Sequence, residues 1–490
     1  MNDPSKVNLK RVVIDPVTRV EGHGKVSLLL DDDNQIHEAR FHIVEFRGFE
    51  RFIEGRPYWE LPMVVQRLCG ICPVSHHLAA GKAIDQLAGV SELSPPAEKL
   101  RRLLHWGQSL QSHALHFFHL ASPDLLFGFE SDVRKRSIVS VIESHRDLAL
   151  KGVKIRKYGQ EVIKAITGKK IHGMAVLAGG MNRALTTDQI KQLKIDIKDI
   201  INWTEEALVL VRKLYLSDIA LHTKFAKADS AFLSLVDKDG TLDLYHGGLR
   251  IKNTDGSILH DHYDYSNYTQ LIKEQVKSWS YMKFPFLIER GPQTGWYKVG
   301  PLARINNCDR IDTIKAESYR QDFLAHSEDA LVHPPLAFHW ARMIEALYCA
   351  EAIAKMLDDP DLCSGDLMRR GEKQLEGIGV IEAPRGTLFH HYKINENDQV
   401  TMANLIVSTT SNNQAMNESV RQVANTYVSG RELTPELLNN IEVAIRAYDP
   451  CLSCATHAVG KMPLQVELLN SVGETVARCS RSSETGFNVE

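Results

Sequence analysis

Two short stretches of the chain, residues 67–77 (RLCGICPVSHH) and 449–457 (DPCLSCATH), each hold a pair of cysteines separated by two residues. A CxxC turn aims two sulfurs at one point, so Cys69, Cys72, Cys451 and Cys454 could supply four thiolates to one metal. Four soft sulfurs suit zinc, an iron–sulfur cluster or another thiophilic transition metal, and a structural zinc site is the plainest reading. Two features weigh against it. Zinc ribbons usually separate their pairs by about 12 to 20 residues, and a chain this long needs no metal staple to fold. A thioredoxin-like redox motif would need a short βαβ setting that the sequence lacks. The flanking residues point further: Arg67, His76 and His77 beside the first pair, Asp449 and His457 beside the second. A reactive metal needs such groups around its ligands to tune it and to move protons. Each histidine alone reads as structural; together with both pairs they turn the reading toward catalysis.

The elements that must position these residues are mostly helical. At the N-terminus, KVSLLLDDDNQIHEARFHIVEF holds two strand-like runs around a polar turn at 31–35, with Phe41, Ile43 and Phe46 in partial alternation. After Pro95 and Pro96, apolar residues such as Leu100, Leu103, Leu104, Leu110, Ala114 and Phe117 recur mostly at helical spacing. Similar patterns recur around 134–165, 186–228, 310–356 and 411–446, and 239–257 reads as a Gly-, Asn- and Asp-rich loop. The fold class is α+β: helix-dominated, with a central long-helix bundle and N-terminal and peripheral β hairpins. The cysteine pairs flank that body. A shared metal site would form between the two chain ends and tie the chain into one cooperative unit.

Bulk properties narrow the class. The chain has 490 residues, and length alone would allow about two to four domains. Its 43% hydrophobic and 24% charged fractions are those of an ordinary soluble protein. A net charge of −3 leaves no electrostatic footprint for nucleic acid or a membrane surface. No apolar run approaches the roughly 18 to 20 residues of a membrane span, and the first residues lack a secretory signal, so the cytoplasm is the expected location. The eight cysteines are no disulfide framework in a reducing compartment. Cys308, Cys349, Cys363 and Cys479 stand alone and read as buried small apolar residues.

The two cysteine stretches resemble the paired signatures that begin and end the large subunit of nickel–iron hydrogenases. The likeness covers nearly the whole chain and is carried in order by RVEGHGKV (19–26), FRGFE (46–50), IHGMAVLAGGMNRAL (171–185), VGPLARIN (299–306), EAPRG (382–386) and LIVSTTSN (405–412). One CxxC is weak; six such segments in order, together with both cysteine motifs, are strong. The resemblance implies nickel held by four thiolates, with an iron carrying CO and cyanide. Cys69 and Cys451 would be terminal nickel ligands, and Cys72 and Cys454 would bridge to the iron. The implied reaction is H2 ⇌ 2H⁺ + 2e⁻. Splitting so nonpolar a molecule heterolytically needs a Lewis acid for the hydride and a base for the proton, held together. The Cys451 thiolate would be the first base and Glu21 the next carrier. Arg385 would hang over the site as a positioning charge, since a guanidinium is hard to deprotonate. Asp449 would pair with Arg385, Thr409 would hydrogen-bond a cyanide, and His76 would stand behind the ligands.

The same resemblance implies a magnesium-type site from Glu50, the carbonyl of Leu405 and His457. It also implies that a maturation protease cuts between His457 and Ala458 after metal-insertion proteins have done their work. Residues 1–457 would then be the mature domain and 458–490 a removable extension; the alternative, which LQVELLN could form, is an ordinary C-terminal hairpin. Some positions depart from the family's pattern: Ser408 and Ser411 replace the Pro and Trp of many membrane-linked relatives, and Ser112 stands where they carry Asp. DPCLSCATH and the length resemble the cytoplasmic, bidirectional NAD-linked type. His113, His116 and His119, spaced by threes, are assigned no role.

What the chain lacks defines its partners. It has no GxGxxG after a strand and no further cysteine cluster for an iron–sulfur relay. Iron–sulfur clusters, flavin and NAD are therefore expected only on partners: a small subunit with clusters, then an NAD-reducing flavin and iron–sulfur module. Three alternatives stand beside this reading. The same chemistry could serve ferredoxin or a deazaflavin. The chain could be a non-catalytic scaffold like the quinone-site subunit of respiratory complex I, which lacks the four cysteines. It could also be a structural zinc protein.

Overall fold

The computed structural model describes residues 9–327 and 329–456, together with the backbone of three later strands. Strands β1 (Lys10–Ile14), β2 (Gly24–Leu30) and β3 (Ile36–Ile43) form an antiparallel meander with Lys10 opposite Leu30 and Gly24 opposite Ile43. Alternate residues Val26, Leu28 and Leu30 of β2 and Ala39, Phe41 and Ile43 of β3 are buried, the period of a one-sided sheet. The polar turn between β2 and β3 is closed by Asp31, whose Oδ1 accepts from the amides of Asp33 (3.0 Å) and Gln35 (2.9 Å). The segment between β1 and β2 carries Glu21.

The helical body follows: α1 (Pro73–Leu87), α2 (Pro95–Leu115), α3 (Arg146–Thr167) and α4 (Thr187–Ser217). Proline at the first positions of α1 and α2 sits where a backbone N–H has no helical partner. A capping box of Thr186 and Gln189 starts α4, whose 31 residues span about 46 Å. Sheet strands β4 (Ala231–Val236), β5 (Gly248–Lys252) and β6 (Ile258–Tyr263) come next, with Tyr297–Lys298 added in parallel to β4. The stretch 239–257, read above as loop, thus holds β5; its Leu249 and Ile251 are too few to show a period among the glycines. Helices α5 (Pro301–Asn307) and α6 (Ala337–Met356) follow. The patterned stretch 310–356 is two helices, Ile314–Ala325 and α6, with Pro334 and Pro335 in the break. Buried on all sides, α6 forms the axis of a bundle with α2 and α4, and α3 packs on α2 and α4.

A second meander, β7 (Glu376–Ala383), β8 (Gly386–Ile394) and β9 (Val400–Ile406), lies directly on α1. The approach is close enough to require glycine. A Cβ at Gly377 would come 2.2 Å from Ala83 O, and one at Gly379 2.1 Å from Ala79 O. Helices α7 (Asn413–Val423) and α8 (Pro435–Ala447) lead back to the second cysteine pair. Beyond it, the backbone of β10 (Leu464–Leu469), β11 (Thr475–Ser482) and β12 (Gly486–Val489) forms a separate antiparallel meander.

Two apolar cores result. The larger joins the N-terminal sheet to the bundle and contains all four paired cysteines; the smaller lies between β4–β5 and the β7–β9 meander. Of the lone cysteines, Cys308 and Cys349 are buried, but Cys363 is exposed, correcting the expectation for it. It ends a short turn, Pro360–Cys363, inside the acidic surface stretch DDPDLCSGD. The side chain of Cys479 lies outside the described residues.

Candidate metal centre

Cys69 closes the short helical turn Val65–Leu68, and Cys72 caps the start of α1. The Cys69 sulfur accepts the amides of Ile71 and Cys72, both at 3.2 Å, a setting that favours thiolate. At the other end, α8 stops and Asp449 turns the chain with φ at 56°, a conformation Asp tolerates better than most residues. That turn delivers Cys451 and Cys454. The sulfurs of Cys69 and Cys451 lie 3.3 Å apart across a separation of 382 residues. Cys72 is 4.0 Å from Cys451 and 3.6 Å from Cys454, and Cys451 is 2.9 Å from Cys454.

All four are buried, and their sulfurs lie within 4.8 Å of one another. Bonds of about 2.3 Å to a tetrahedral metal would set sulfurs about 3.8 Å apart, so the cluster fits one ion. Hydrogen bonding from the other cysteines, with help from Arg385, holds the Cys69 thiol well below its usual range, while burial pushes Cys451 and Cys454 well above theirs. The set thus shares protons among crowded sulfurs, and a thiophilic cation relieves that crowding. A small cavity adjoins Cys72, Cys451 and Cys454, with Pro384, Leu388 and Val407 on its apolar side and Ser408, Thr409 and Arg385 on its polar side.

The N-terminal segment closes this turn from outside. Leu452 N donates to Glu21 O at 2.9 Å, and residues 21 and 451 pair as a parallel bridge. Gly22 is needed there, since a Cβ would lie 2.8 Å from both Leu452 Cβ and Ser453 N. The Glu21 carboxylate accepts from Ser453 N at 3.2 Å and from the Ser453 hydroxyl. Burial and the nearby Cys69 push its pKa up; bonds from Ser453 and Cys451 and the charge of Arg385 oppose that rise. It is a half-buried carboxyl, in contact with Cys451 and biased toward taking a proton.

Arg385 sits in the two-residue turn between β7 and β8 and reaches across the cavity. Its Nε donates to Asp449 O (2.7 Å), Nη2 to Asp449 Oδ1 (2.9 Å) and Nη1 to Ser112 Oγ (3.2 Å). Burial pushes the Asp449 carboxyl up, and the guanidiniums of Arg385 and Arg342 pull it back. Thr409 Oγ1 accepts the amide of Cys451 at 3.0 Å, so that hydroxyl fixes the backbone of one of the four cysteines. His76 is buried at the cavity edge, with Nδ1 3.1 Å from His390 Nε2; His390 Nδ1 in turn meets the Tyr392 hydroxyl at 2.6 Å. His77 points the other way, accepting the amide of Val176 (3.0 Å) while its other nitrogen meets Pro62 O, so it packs.

Glu50 lies apart from the thiolates. Its Oε1 accepts the Leu405 amide at 2.9 Å, and Lys283 Nζ stands 3.2 Å from it and 3.0 Å from Glu274. The Leu405 group facing Glu50 is therefore its N–H, and Lys283 is the cation that pairs with the two carboxylates. His457 and Ala458 lie outside the described residues. Of the three spaced histidines, His113 pairs with Glu345 at 2.8 Å, His116 meets Arg446 O at 2.7 Å, and His119 is half-buried.

Sequence reasoning did not single out Ser453, Arg342, His390, Tyr392, Glu274 or Lys283. Ser453 carried a usable signal, because it lies inside the second CxxC. The others reach the site only through tertiary pairing.

Comparison with known proteins matches these features. A HoxL-like family model fits residues 11–46, and the nickel-dependent hydrogenase model fits 47–127 and 243–457. The beta subunit of the NAD-reducing hydrogenase HoxS of Cupriavidus necator is 44% identical over 96% of this chain and 100% of its own. The matching polypeptide of the vhc F420-non-reducing hydrogenase of Methanococcus voltae is 39% identical over 93% of this chain and 96% of its own. A crystal structure of an NAD⁺-reducing nickel–iron hydrogenase in the H2-reduced state superposes with a TM-score of 0.90 at 54% identity, covering 92% of this chain and all of that one. The nickel–iron–selenium hydrogenase of D. vulgaris Hildenborough shares the fold at 23% identity and a TM-score of 0.75. With four buried thiolates drawn from both ends of a chain that matches along its length, this protein belongs to the nickel-dependent hydrogenase family.

Proposed function

We propose that the chain is the catalytic large subunit of a cytoplasmic, NAD-linked nickel–iron hydrogenase that interconverts H2 with protons and electrons. The observation that carries the proposal is the buried four-thiolate cluster with Glu21 lying on Cys451. Cys69 and Cys451 would hold nickel alone; Cys72 and Cys454 would share it with an iron. The cavity beside them suits small ligands on that iron: its apolar wall favours CO, and the Thr409 hydroxyl and the Arg385 guanidinium offer donors to cyanide. When bound, the metal pair supplies the Lewis acid that polarises H2 and the redox capacity for two electrons.

The chain's own groups handle the proton. The Cys451 sulfur receives it, and Glu21, in contact with that sulfur and shifted toward protonation by burial, takes it on. Arg385 keeps its charge, being held by Asp449, and orients the site instead of acting as a base. A magnesium-type ion is proposed at Glu50, the carbonyl of Leu405 and His457; to bind there it would displace Lys283 Nζ from Glu50, and Leu405 would turn its carbonyl to where its N–H now meets that carboxylate.

The partner assignments follow the relatives named for NAD reduction, to which identity is highest among those given above. The thiolate cluster is the only metal-ligating group found among the described residues. Electrons therefore leave through another polypeptide: a small subunit with iron–sulfur clusters, then a flavin-containing module. Phe46, Phe52, Trp59 and Met63, all close to half exposed or more, fall in the segment leading to the first cysteine pair and suit such a partner. No helix among the described residues is long and apolar enough to cross a membrane. Removal of residues 458–490 by a maturation protease accords with the family model ending at 457.

The test is an infrared spectrum, with metal analysis, of the protein purified with its natural partners from a host that matures a known relative. Bands in the metal-carbonyl and cyanide region with bound nickel are the expected result. Zinc without such bands would overturn the proposal.

A further inference from the structure

Deep behind the site lies a second guanidinium, Arg304 of α5, with no exposed surface. Three of its N–H groups serve ion pairs: Nε to Glu345 Oε2 (2.5 Å), Nη2 to Glu345 Oε1 (2.6 Å) and Nη1 to Glu382 Oε2 (2.7 Å). The remaining two donate to backbone carbonyls, Nη1 to Ala383 O (3.0 Å) and Nη2 to Pro384 O (3.2 Å). All five donors are used, and the two not needed for charge pairing grip the two residues just before Arg385.

That grip matters because Arg385 stands on the tight turn between β7 and β8, where a side chain goes wherever its backbone goes. Downstream, Ser408 Oγ holds Gly386 O at 2.6 Å. Upstream, only Arg304 reaches both turn carbonyls among the described residues. The arrangement closes on itself. Glu345, which orients Arg304, also pairs with His113, and the preceding residue, Ser112, accepts from the tip of Arg385. Helix α2 therefore holds both ends of Arg385: the guanidinium directly, and the backbone through His113, Glu345 and Arg304. A lysine at 304 would keep the charge but not the planar fork that bridges two carboxylates and two carbonyls.

We propose that Arg304 is a positioning residue for the reaction, fixing the backbone from which Arg385 extends over the thiolate cluster. This rests on the reading of that cluster as the hydrogenase centre. It is tested in the complete enzyme with its partner subunits by the variants Arg304→Lys, Arg385→Lys and the double. Arg304→Lys is expected to retain nickel and subunits while H2 oxidation falls about a hundredfold, the scale of a small misplacement at a reacting centre. The double is expected to be no slower than Arg385→Lys alone, because both act through one guanidinium. Multiplying losses would overturn the proposal.

A second readout needs no metal. In the full chain made without nickel, Arg304→Lys should speed amide exchange in peptides covering 383–388 at least tenfold and leave 187–217 unchanged. Unchanged exchange at 383–388 would refute the proposal even if activity fell. If the wild-type enzyme neither binds nickel nor turns over H2, the functional reading fails, and the exchange experiment still judges Arg304. Should Arg304→Lys not assemble, Glu345→Gln, which removes the charge that orients Arg304, is expected to act in the same direction on both readouts.

Discussion

Replacing Asp449 by Asn isolates the charge of the Arg385 pair. The two side chains are 3% and 2% exposed, and their contact is 2.9 Å. With an effective dielectric constant near 20, a unit pair at that distance attracts by about 6 kcal/mol before desolvation. Breaking such a buried pair typically costs about 3 to 5 kcal/mol, because the remaining charge is stranded. Asn tolerates the left-handed conformation of residue 449 and keeps an oxygen for Arg385, so the backbone turn survives. Unfolding entropy of about 2.1 cal/mol/K per residue gives roughly 1 kcal/mol/K for this chain, so Tm should fall by about 3 to 5 °C. The assay is scanning calorimetry of the chain without nickel, so that metal binding does not add to the apparent stability. Adding Arg385→Met to Asp449→Asn should restore part of the loss, making the double less damaging than the sum by about 2 kcal/mol. A Tm within about 1 °C of wild type for Asp449→Asn, or strictly additive losses, would refute the ionic pairing. It would mean that burial had already protonated Asp449 despite Arg385 and Arg342.

Four further outcomes are expected. Glu21→Gln keeps the contacts with Ser453 but cannot take a proton, so H2 oxidation should fall by about 10² to 10⁴ with nickel content unchanged; near-normal turnover would remove Glu21 from the proton path. His105, buried against Leu244 O and Glu382 O, has its pKa lowered to about 4 by burial. The neutral form is favoured on folding, so its contribution is complete above about pH 6.5 and is lost as pH falls toward 4. That loss is at most about 3.4 kcal/mol, and urea titrations of His105→Gln should show a correspondingly shallower decline over that window. Gly379→Ala drives a Cβ against Ala79 O and should lower stability by about 1 to 3 kcal/mol or more, read as a lower Tm; an unchanged Tm would contradict the close approach of β7 to α1. The protein isolated with its natural partners should have the mass of residues 1–457, and an intact tail in an active preparation would end the processing proposal.

The chemistry was legible in the sequence because thiolates are rare and their CxxC spacing is local. Cys69, Cys72, Cys451 and Cys454 could be picked out without any fold, and the helical periods placed most of the bundle. Two kinds of feature were not legible. Strands buried on both faces, such as β7, show no alternation, since every residue after Glu376 is buried, and the strand cannot be told from other apolar runs. Charged residues that serve the site from the core look like surface residues in sequence. Arg304, Arg342 and Glu345 lie on helices where arginine and glutamate are commonplace, and only the tertiary pairing shows them to be buried.

That second class explains why the cysteine pairs stand so far apart. A metal site on one local loop needs little beyond its ligands, but here each half of the pocket is held by the other end of the chain. The carbonyl and carboxylate of Glu21 hold the turn containing Cys451 and Cys454. Arg47 from the N-terminal region donates to Leu68 O (3.2 Å) beside Cys69, while its own amide donates to Thr456 O (3.2 Å) beyond Cys454. Arg385 ties the same turn to α2. The walls that carry the cysteines thus depend on contacts that form only once the two ends of the chain have met. The distance between the pairs makes the thiolate cluster a product of the global fold, with the protonatable Glu21 delivered to it in the same step.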